Sequence, residues 1–232
     1  MKDLFSSRDG IVMLAEMYEQ ASPDEILSEA IKQVPNVAFA CSFGVEDMVV
    51  LDVLMEVDPN VKVFYLDTDV LFQQTYELID AAVKKYTITN LIQVRSTLSL
   101  AEQAEKYGNE LWTSNPDQCC NIRKVQPLRG ILSTVNGWIT GIRREQSPTR
   151  TYAQVFEADV KFGLIKVNPL VRWTEKDVWD YIHEHNVPYN SLHNQGYPSI
   201  GCLHCTKPVK PGEDPRSGRW VNFAKTECGL HK

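Results

Sequence analysis

The apolar and polar positions of the chain follow two alternating patterns, one typical of buried strands and the other of helices. Short runs of consecutive apolar residues predict strands at 37–41, 62–66, 91–95 and 138–141. Longer stretches with helical apolar spacing predict helices at 11–20, 22–34, 48–57, 72–86 and 98–107. This succession predicts an α/β fold, a parallel sheet with helices on both faces and ligand sites at the carboxyl ends of the strands.

Local signals mark where two helices begin and where regular structure ends. Ser22 opens a capping sequence, and Thr174 is predicted to cap a later helix with an apolar face. Beyond that helix prolines, glycines and asparagines multiply, so residues 188–232 are predicted to form a loop-rich C-terminal tail. We expect the tail to belong to the same domain as residues 1–187 and to wrap around its site.

Three polar turns follow predicted strands. The turn at 42–47 opens a helix and predicts a phosphate cradle, although many such turns bind nothing. Residues 67–69 are either ligand contacts or a solvated acidic turn. The loop at 141–150 carries three arginines, which indicate anion capture because guanidinium grips phosphate or sulfate bidentately. An ordinary exposed loop is the alternative there.

Two close pairs of cysteines are the strongest chemical signal in the chain. Cys119 and Cys120 are adjacent, and Cys202 and Cys205 follow roughly 80 residues later. Four thiolates in two pairs suit a zinc ion or an iron–sulfur cluster. Vicinal cysteines can hardly both ligate one small tetrahedral ion without strain, whereas a cluster offers each sulfur its own iron. Iron–sulfur is therefore favoured over zinc, and over structural cysteines or disulfides.

The two remaining cysteines differ from each other. Cys41 ends a predicted strand and is most simply a small buried hydrophobe. Cys228 lies in a polar, glycine-containing terminus with His231 close by, and we expect solvent to reach it. A thiolate there would be a competent nucleophile if neighbouring cations lower its pKa, while an incidental cysteine is the alternative. Arg216 and Arg219 lie close in sequence to the second cysteine pair.

Composition narrows the setting of this chemistry. The 232 residues are 43% hydrophobic and 23% charged, enough for one well-packed domain. The net charge of −6 disfavours nucleic acid as a partner. No apolar run of about 18 residues and no signal peptide are visible, so no membrane partner is expected. Six cysteines without an export signal indicate a reducing compartment, and a cytoplasmic location is predicted.

From about Phe39 to His231 the chain resembles the assimilatory adenylyl-sulfate (APS) reductases. These form the iron–sulfur branch of the phosphoadenylyl-sulfate (PAPS) reductase family. The motifs that carry the resemblance are the 42–47 loop, Leu66-Asp67-Thr68, Cys119-Cys120 with Arg123-Lys124 and Pro127-Leu128, the 141–150 loop, Cys202 with Cys205, Arg216 with Arg219, and Glu227-Cys228-Gly229-Leu230-His231. The paired cysteines together with the terminal motif are highly specific.

The resemblance implies an adenine nucleotide alpha-hydrolase-like fold and a 4Fe-4S cluster held by Cys119, Cys120, Cys202 and Cys205. It implies that Cys228 attacks the sulfur of APS, expels AMP and becomes an S-sulfocysteine. Thioredoxin, or a glutaredoxin-like dithiol protein, would then release sulfite. The resemblance is also compatible with a homo-oligomer.

The same resemblance implies a set of site residues. The catalytic residues would be Cys228 and His231. The substrate-binding residues would be Ser42, Phe43, Gly44, Glu46, Asp47, Leu66, Asp67, Thr68, Lys124, Arg143, Arg150, Arg216 and Arg219. Lys124 lies one turn after Cys120 on a predicted helix, so it is expected to reach both the cluster and the substrate. An electrostatic role of the cluster is favoured over electron transfer.

Two departures from the pattern bear on substrate choice. Asp69 stands where the resembled family commonly has glycine, and the 42–47 loop lacks the Ser-Gly-Gly-x-Asp-Ser pattern of ATP pyrophosphatases. The second departure argues against ATP cleavage. APS is predicted over PAPS, because carboxylates in the loops at 42–47 and 66–69 would repel a 3′-phosphate. The alternatives are a PAPS or dual-substrate reductase, a tRNA-thiolating relative, and a zinc-stabilised nucleotide-binding module.

Overall fold

A six-stranded sheet forms the centre of the computed structural model, which describes residues 7–225 and 227–230. The strands lie in the order β3-β2-β1-β4-β6-β5. Five of them run parallel, and β5 pairs antiparallel with β6 at one edge. The strands are β1 Val37–Ala40, β2 Lys62–Asp67, β3 Leu91–Arg95, β4 Gly137–Ile139, β5 Phe156–Asp159 and β6 Leu164–Val167.

Helices cover both faces of the sheet, as the alternating pattern predicts. The helices are α1 Arg8–Met17, α2 Pro23–Gln33, α3 Val45–Val57, α4 Gln73–Tyr86, α5 Leu100–Tyr107, α6 Leu111–Ser114, α7 Pro116–Cys120, α8 Gln126–Leu132 and α9 Glu175–Glu184. Between α7 and α8 the backbone makes a π-helical turn at Asn121–Val125. The predicted parallel α/β fold is therefore confirmed.

Alternate residues of the central strands point into two separate apolar cores. In β1, Phe39 belongs to the larger core with helices α1 to α4 and α9, whereas Ala38 faces the smaller core. Phe64 and Trp138 share that smaller core with Leu128 of α8. The period of two along each strand explains why nearly every residue of the central strands is apolar and buried.

The order of the strands determines where a ligand can enter. Strand β2 pairs with β1 on one side, and the chain later returns so that β4 pairs with β1 on its other side. Loops after β1 and β4 therefore diverge at their carboxyl ends, and such a switch point is the usual ligand crevice of open α/β sheets. The predicted turns at 42–47 and 141–150 both lie at this crevice.

The structure moves some predicted boundaries and adds elements. Helix α3 begins at Val45, three residues before the prediction, and the helix predicted to carry Cys120 and Lys124 is interrupted by the π-helical turn. Helix α6 and the β5–β6 hairpin were not predicted. The capping sequence at Ser22 and the cap at Thr174 are both formed. Beyond α9, helical structure in the described residues is limited to two short 3₁₀ turns, Ser191–Gln195 and Leu203–Cys205. None of the described helices combines the length and the apolarity that crossing a membrane requires.

Candidate active site at the carboxyl edge of the sheet

A buried carboxylate joins the turns that follow β1 and β4. The backbone N–H of Ser42 donates to Asp47 Oδ2 at 2.6 Å, and the N–H of Gly141 donates to Oδ1 at 3.0 Å. A Cβ atom at residue 141 would lie 2.3 Å from that Oδ1, so only glycine allows the two turns to approach this closely. Burial raises the pKa of Asp47 to about 6, although the hydrogen bonds from Ser42 act to lower it.

The β1 turn, residues 41–44, is shaped by this contact and by a left-handed residue. Phe43 has a φ of 58° and packs its ring edge-on against Tyr65, with the ring centroids 5.7 Å apart. Gly44 then serves as the N-cap of α3 without any side-chain cap. Helix α3 therefore opens with backbone N–H groups that no capping side chain satisfies, as a phosphate cradle requires.

Arg143 is buried beside this turn and is already paired. Its Nη2 donates to Glu46 Oε1 at 2.9 Å, and its Nη1 donates to Glu145 Oε2 at 3.1 Å. The next arginine of the loop, Arg144, donates to Glu19 at 2.9 Å and contributes nothing to the crevice contacts. Of the three arginines predicted to capture an anion, Arg144 therefore binds elsewhere, whereas the backbone N–H of Arg143 and the side chain of Arg150 both donate to Gln146 Oε1.

The turn after β2 is buried rather than solvated. Asp67 is fully buried and accepts hydrogen bonds from Tyr76 at 2.8 Å, Gln93 at 2.6 Å and Arg95 at 2.9 Å. Burial alone would raise the pKa of Asp67, but these donors and the N–H of Asp69 lower it overall. The solvated alternative for this turn is therefore wrong, and the carboxylate is a fixed anion.

Thr68 connects the sheet edge to the cysteines. It is fully buried, and its Oγ1 lies 3.4 Å from the sulfur of Cys202. The segment that carries Cys202 is held there by an isolated bridge to Leu71. Leu66, one step earlier on β2, packs with the smaller apolar core.

All four paired cysteines line one cavity, which we call the thiol cavity. Its wall also includes Arg123 and Lys124. Helix α7 ends with Cys119 and Cys120, after an N-cap at Asn115 whose side chain accepts the N–H of Gln118 at 3.0 Å. The structure therefore brings the two distant cysteine pairs to one cavity, while their role as cluster ligands stays a prediction.

Burial disfavours the thiolate form of three of these cysteines. Burial raises the pKa of Cys120 to about 12 and that of Cys205 to about 11, and it also raises the pKa of Cys119. A metal would therefore have to displace protons on binding. In the described part of the chain no three His, Cys, Asp or Glu side chains are gathered around one point to hold a metal ion.

Lys124 lies between the thiol cavity and Cys228. Burial would lower the pKa of Lys124, but the nearby sulfurs of Cys202, Cys228 and Cys120 outweigh burial and raise it. Lys124 belongs to the π-helical turn, so it follows Cys120 on a wider turn than the α-helical one that the sequence predicts. Lys124 therefore lies close enough to both groups of sulfur atoms for a negative charge on them to act on its ammonium group.

The C-terminal tail is docked over this site. Cys228 is half-buried, and next to it the carboxylate of Glu227 is buried at 4% exposure. Glu227 lies 3.1 Å from Arg150 and 3.3 Å from Arg216, which brings two of the predicted substrate cations together. Sequence reasoning gave Glu227 no role, although a carboxylate beside a candidate nucleophile and near several arginines was visible.

Two predicted site residues remain to be described, Arg219 and His231. Arg219 stacks on Trp220, with its Cζ 4.6 Å from the ring centroid, and donates to Ser199 at 3.1 Å. Its charge reaches Lys124 and Cys205, so it belongs to the site. His231 was predicted to be catalytic but lies outside the described residues.

Comparison with known proteins identifies the family. Residues 36–208 match the profile of the phosphoadenosine phosphosulfate reductase domain. A protein of Lysinibacillus sphaericus named adenosine 5′-phosphosulfate reductase is 51% identical over 218 residues, covering 94% of this chain and 93% of that protein. A Bacillus cereus protein of the same name is 49% identical over 221 residues, covering 95% of this chain and 94% of that protein.

Solved structures agree with this assignment. The crystal structure of a PAPS reductase from Candida auris in a phosphate complex gives a TM-score of 0.76 at 34% identity, covering 88% of this chain and 98% of that one. An FMN adenylyltransferase from Candida glabrata gives a TM-score of 0.60 at 14% identity, covering 88% and 69%, and shows a shared fold alone.

The fold and the site together define a protein of the adenine nucleotide alpha-hydrolase-like class, with a thiol-rich site at its sheet edge. The chain belongs to the phosphoadenosine phosphosulfate reductase family.

Proposed function

We propose that the protein reduces APS to sulfite and AMP, with Cys228 as nucleophile and thioredoxin or a similar dithiol protein as reductant. The observation that carries the proposal is the setting of Cys228. Its half-buried sulfur lies within the electrostatic reach of Lys124, and the adjacent Glu227 gathers Arg150 and Arg216. Transfer of a sulfuryl group to a thiolate needs such cations around its oxygens. The names of the curated relatives support APS as the substrate.

The first half-reaction is a displacement at sulfur. The thiolate of Cys228 attacks the sulfur of APS, a sulfur–sulfur bond forms, and the bond from sulfur to the phosphate oxygen breaks. AMP leaves with the bonding electron pair. In this proposal Lys124 balances the negative charge that shifts towards the leaving phosphate, and Arg150 and Arg216, which now pair with Glu227, bind the phosphosulfate once Glu227 releases them.

The second half-reaction needs an external dithiol. A thiolate of the reductant attacks the sulfur of Cys228, forms a mixed disulfide and expels sulfite with the electron pair of the broken bond. The second thiol of the reductant then releases Cys228 and leaves the reductant oxidised by two electrons. No described cysteine outside the thiol cavity other than Cys41 remains to resolve the intermediate internally, and Cys41 is buried.

We propose a 4Fe-4S cluster as the cofactor of the thiol cavity. Cys119, Cys120, Cys202 and Cys205 would hold it, because their side chains line one cavity and two adjacent cysteines can hardly both ligate one small tetrahedral ion without strain. When bound, the cluster would supply an electrostatic environment for Lys124 rather than electrons for the reaction. The nucleotide would lie in the crevice between the turns after β1 and β4, with its phosphate at the start of α3.

Mass spectrometry of the protein mixed with APS in the absence of reductant tests the proposal. We expect one added sulfo group on the peptide that contains Cys228, followed by sulfite release when thioredoxin is added. A Cys41→Ser variant is the matched control and should keep the adduct, since that thiol is buried away from solvent. An adduct on another cysteine, or sulfite production by Cys228→Ser, contradicts the assignment.

A further inference from the structure

Asp69 adopts a backbone conformation that suits glycine. Its φ is 59°, in the left-handed region where a side chain is disfavoured. Its N–H donates to Asp67 Oδ1 at 2.8 Å, which closes the turn without using the Asp69 side chain. The turn therefore does not need a carboxylate, and the role of that carboxylate lies in what it contacts.

The carboxylate of Asp69 holds a buried arginine on the wall of the thiol cavity. Asp69 Oδ2 accepts from Arg123 Nη1 at 2.6 Å, and Arg123 is only 1% exposed. The Nε of the same guanidinium donates to Gln103 Oε1 at 2.8 Å. Two sides of the planar group are therefore fixed, and its orientation is set by Asp69 and Gln103 together.

The third side of the guanidinium has no acceptor. Nη2 of Arg123 is buried and makes no hydrogen bond to any described residue. A buried donor without a partner is rare and unfavourable, especially on a charged group. Arg123 lines the thiol cavity together with Cys119, and Gln103 Nε2 approaches the sulfur of Cys119 to 4.0 Å. The arginine that carries the free donor therefore lines a cavity whose other walls hold four cysteine sulfurs.

We propose that Asp69 is a positioning residue, which holds Arg123 so that its Nη2 donates a hydrogen bond to a sulfur of the cluster or of its ligands. This inference rests on the proposed 4Fe-4S cluster. The role of Asp69 in it is to fix the orientation of the Arg123 guanidinium through the hydrogen bond to Nη1. Removing a hydrogen-bond partner of this kind from a metal site commonly weakens metal binding by about ten-fold or more.

The test compares the rate at which an iron chelator bleaches the visible absorption of the purified holoprotein. Asp69→Gly and Arg123→Gln are expected to lose iron about ten-fold faster than the unchanged protein. The double variant should lose iron no faster than Arg123→Gln alone, because both changes remove the same hydrogen bond. Glu19→Gln is the matched control, since it removes a carboxylate paired to Arg144 away from the cavity, and its rate should not change.

The signs of the two charge changes make the comparison decisive. Asp69→Gly removes a negative charge and Arg123→Gln removes a positive one, so a purely electrostatic effect on the cluster would move the two rates in opposite directions. Opposite shifts, or an Asp69→Gly rate equal to the control, overturn the proposal. If Arg123→Gln fails to fold, Arg123→Lys replaces it, because lysine keeps the charge but not the fork of donors.

The same measurements separate this proposal from the proposed cofactor. Iron and sulfide are first assayed in the unchanged protein. If neither is present, the cluster and the role of Asp69 are both wrong. If both are present and every variant keeps iron equally well, only the role of Asp69 is wrong.

Discussion

Single carboxylates fix the geometry of this site, because each one accepts from donors that come from different parts of the chain. Asp47 ties the turn after β1 to the backbone of Gly141, and Glu227 ties the tail to Arg150 and Arg216. Both carboxylates are buried. Removing one of them leaves its donors unpaired in a poorly solvated place, which costs more than breaking an exposed ion pair.

Glu227→Gln is expected to loosen the tail around Cys228. The amide is isosteric with the carboxylate but loses its charge-assisted hydrogen bonds to the two arginines, each worth about 1.5 kcal/mol or more. Alkylation of Cys228 in the substrate-free protein should therefore accelerate by about ten-fold. The measurement is the rate of reagent incorporation into the Cys228 peptide, followed by mass spectrometry.

Glu213→Gln serves as the control, because Glu213 lies on an exposed part of the tail and accepts only from the backbone of Lys210. Its rate should match that of the unchanged protein. Equal rates for Glu227→Gln as well would mean that other contacts hold the tail, such as Leu230 in the smaller apolar core.

The residues of the candidate site could be predicted from the sequence only where their spacing forms a recognisable pattern. The adjacent thiols and the Cys-x-x-Cys pair predicted a shared site, and the structure brings them to one cavity. The partners of Glu227, 77 and 11 residues away, depend on how the tail docks and left no local pattern. The carboxylates expected to repel a 3′-phosphate could be read from the sequence, but their ion pairs with arginines could not.

Among the elements, the buried parallel strands were the easiest to predict and the helices near the cysteines the hardest. The strands β1 to β3 lie within one residue of their predicted bounds, because a strand buried on both faces is a continuous apolar run. The segment from Pro116 to Leu132 has no helical apolar period, since it changes from α-helix to π-helix and back. The β5–β6 hairpin was missed because its two short strands mix charged and apolar residues.

The packing of the β4 turn against α3 predicts opposite effects for two glycine substitutions. A Cβ at Gly141 would lie 2.3 Å from Asp47 Oδ1 and 3.0 Å from its backbone nitrogen, so Gly141→Ala must push two elements apart. We expect a loss of about 1–3 kcal/mol in the free energy of unfolding. Gly130 in α8 has nothing within 4 Å of its Cβ position, so Gly130→Ala should gain about 0.5–1 kcal/mol.

Denaturant titration of the two variants and of the unchanged protein measures both changes in the free energy of unfolding. A neutral Gly141→Ala would show that the turns after β1 and β4 can separate without loss. The nucleotide crevice would then be more deformable than the close approach of its walls implies.

Over the whole molecule, the balance of charge at the sheet edge bears on substrate choice. Arg95, Arg123 and Arg143 are the cations nearest the turns after β1 and β2 in the described ranges, and each is paired with a carboxylate. The repulsion expected from those carboxylates is therefore partly neutralised. A 3′-phosphate would still have to break one of these pairs to find a counter-charge.

We therefore expect kcat/KM to be about ten-fold or more higher for APS than for PAPS, a difference of about 1.4 kcal/mol or more in transition-state binding. Both nucleotides are to be compared with the same thioredoxin and at the same ionic strength. Arg95 is the most exposed of the three cations, so Arg95→Gln is the informative variant. Equal values for the two nucleotides, or a preference for PAPS, would overturn this prediction.

The thiol cavity is built from two parts of the chain that are far apart in sequence. A group bound to both cysteine pairs closes a loop of roughly 80 residues, which includes α8, β4 and the β5–β6 hairpin. By analogy with a disulfide that closes a loop of this length, the lost freedom of the unfolded chain is worth about 4–5 kcal/mol. The cofactor would then cross-link the part of the chain that forms β4, β5 and β6 and stabilise that half of the sheet. Its loss by oxidation would make the protein more susceptible to proteolysis.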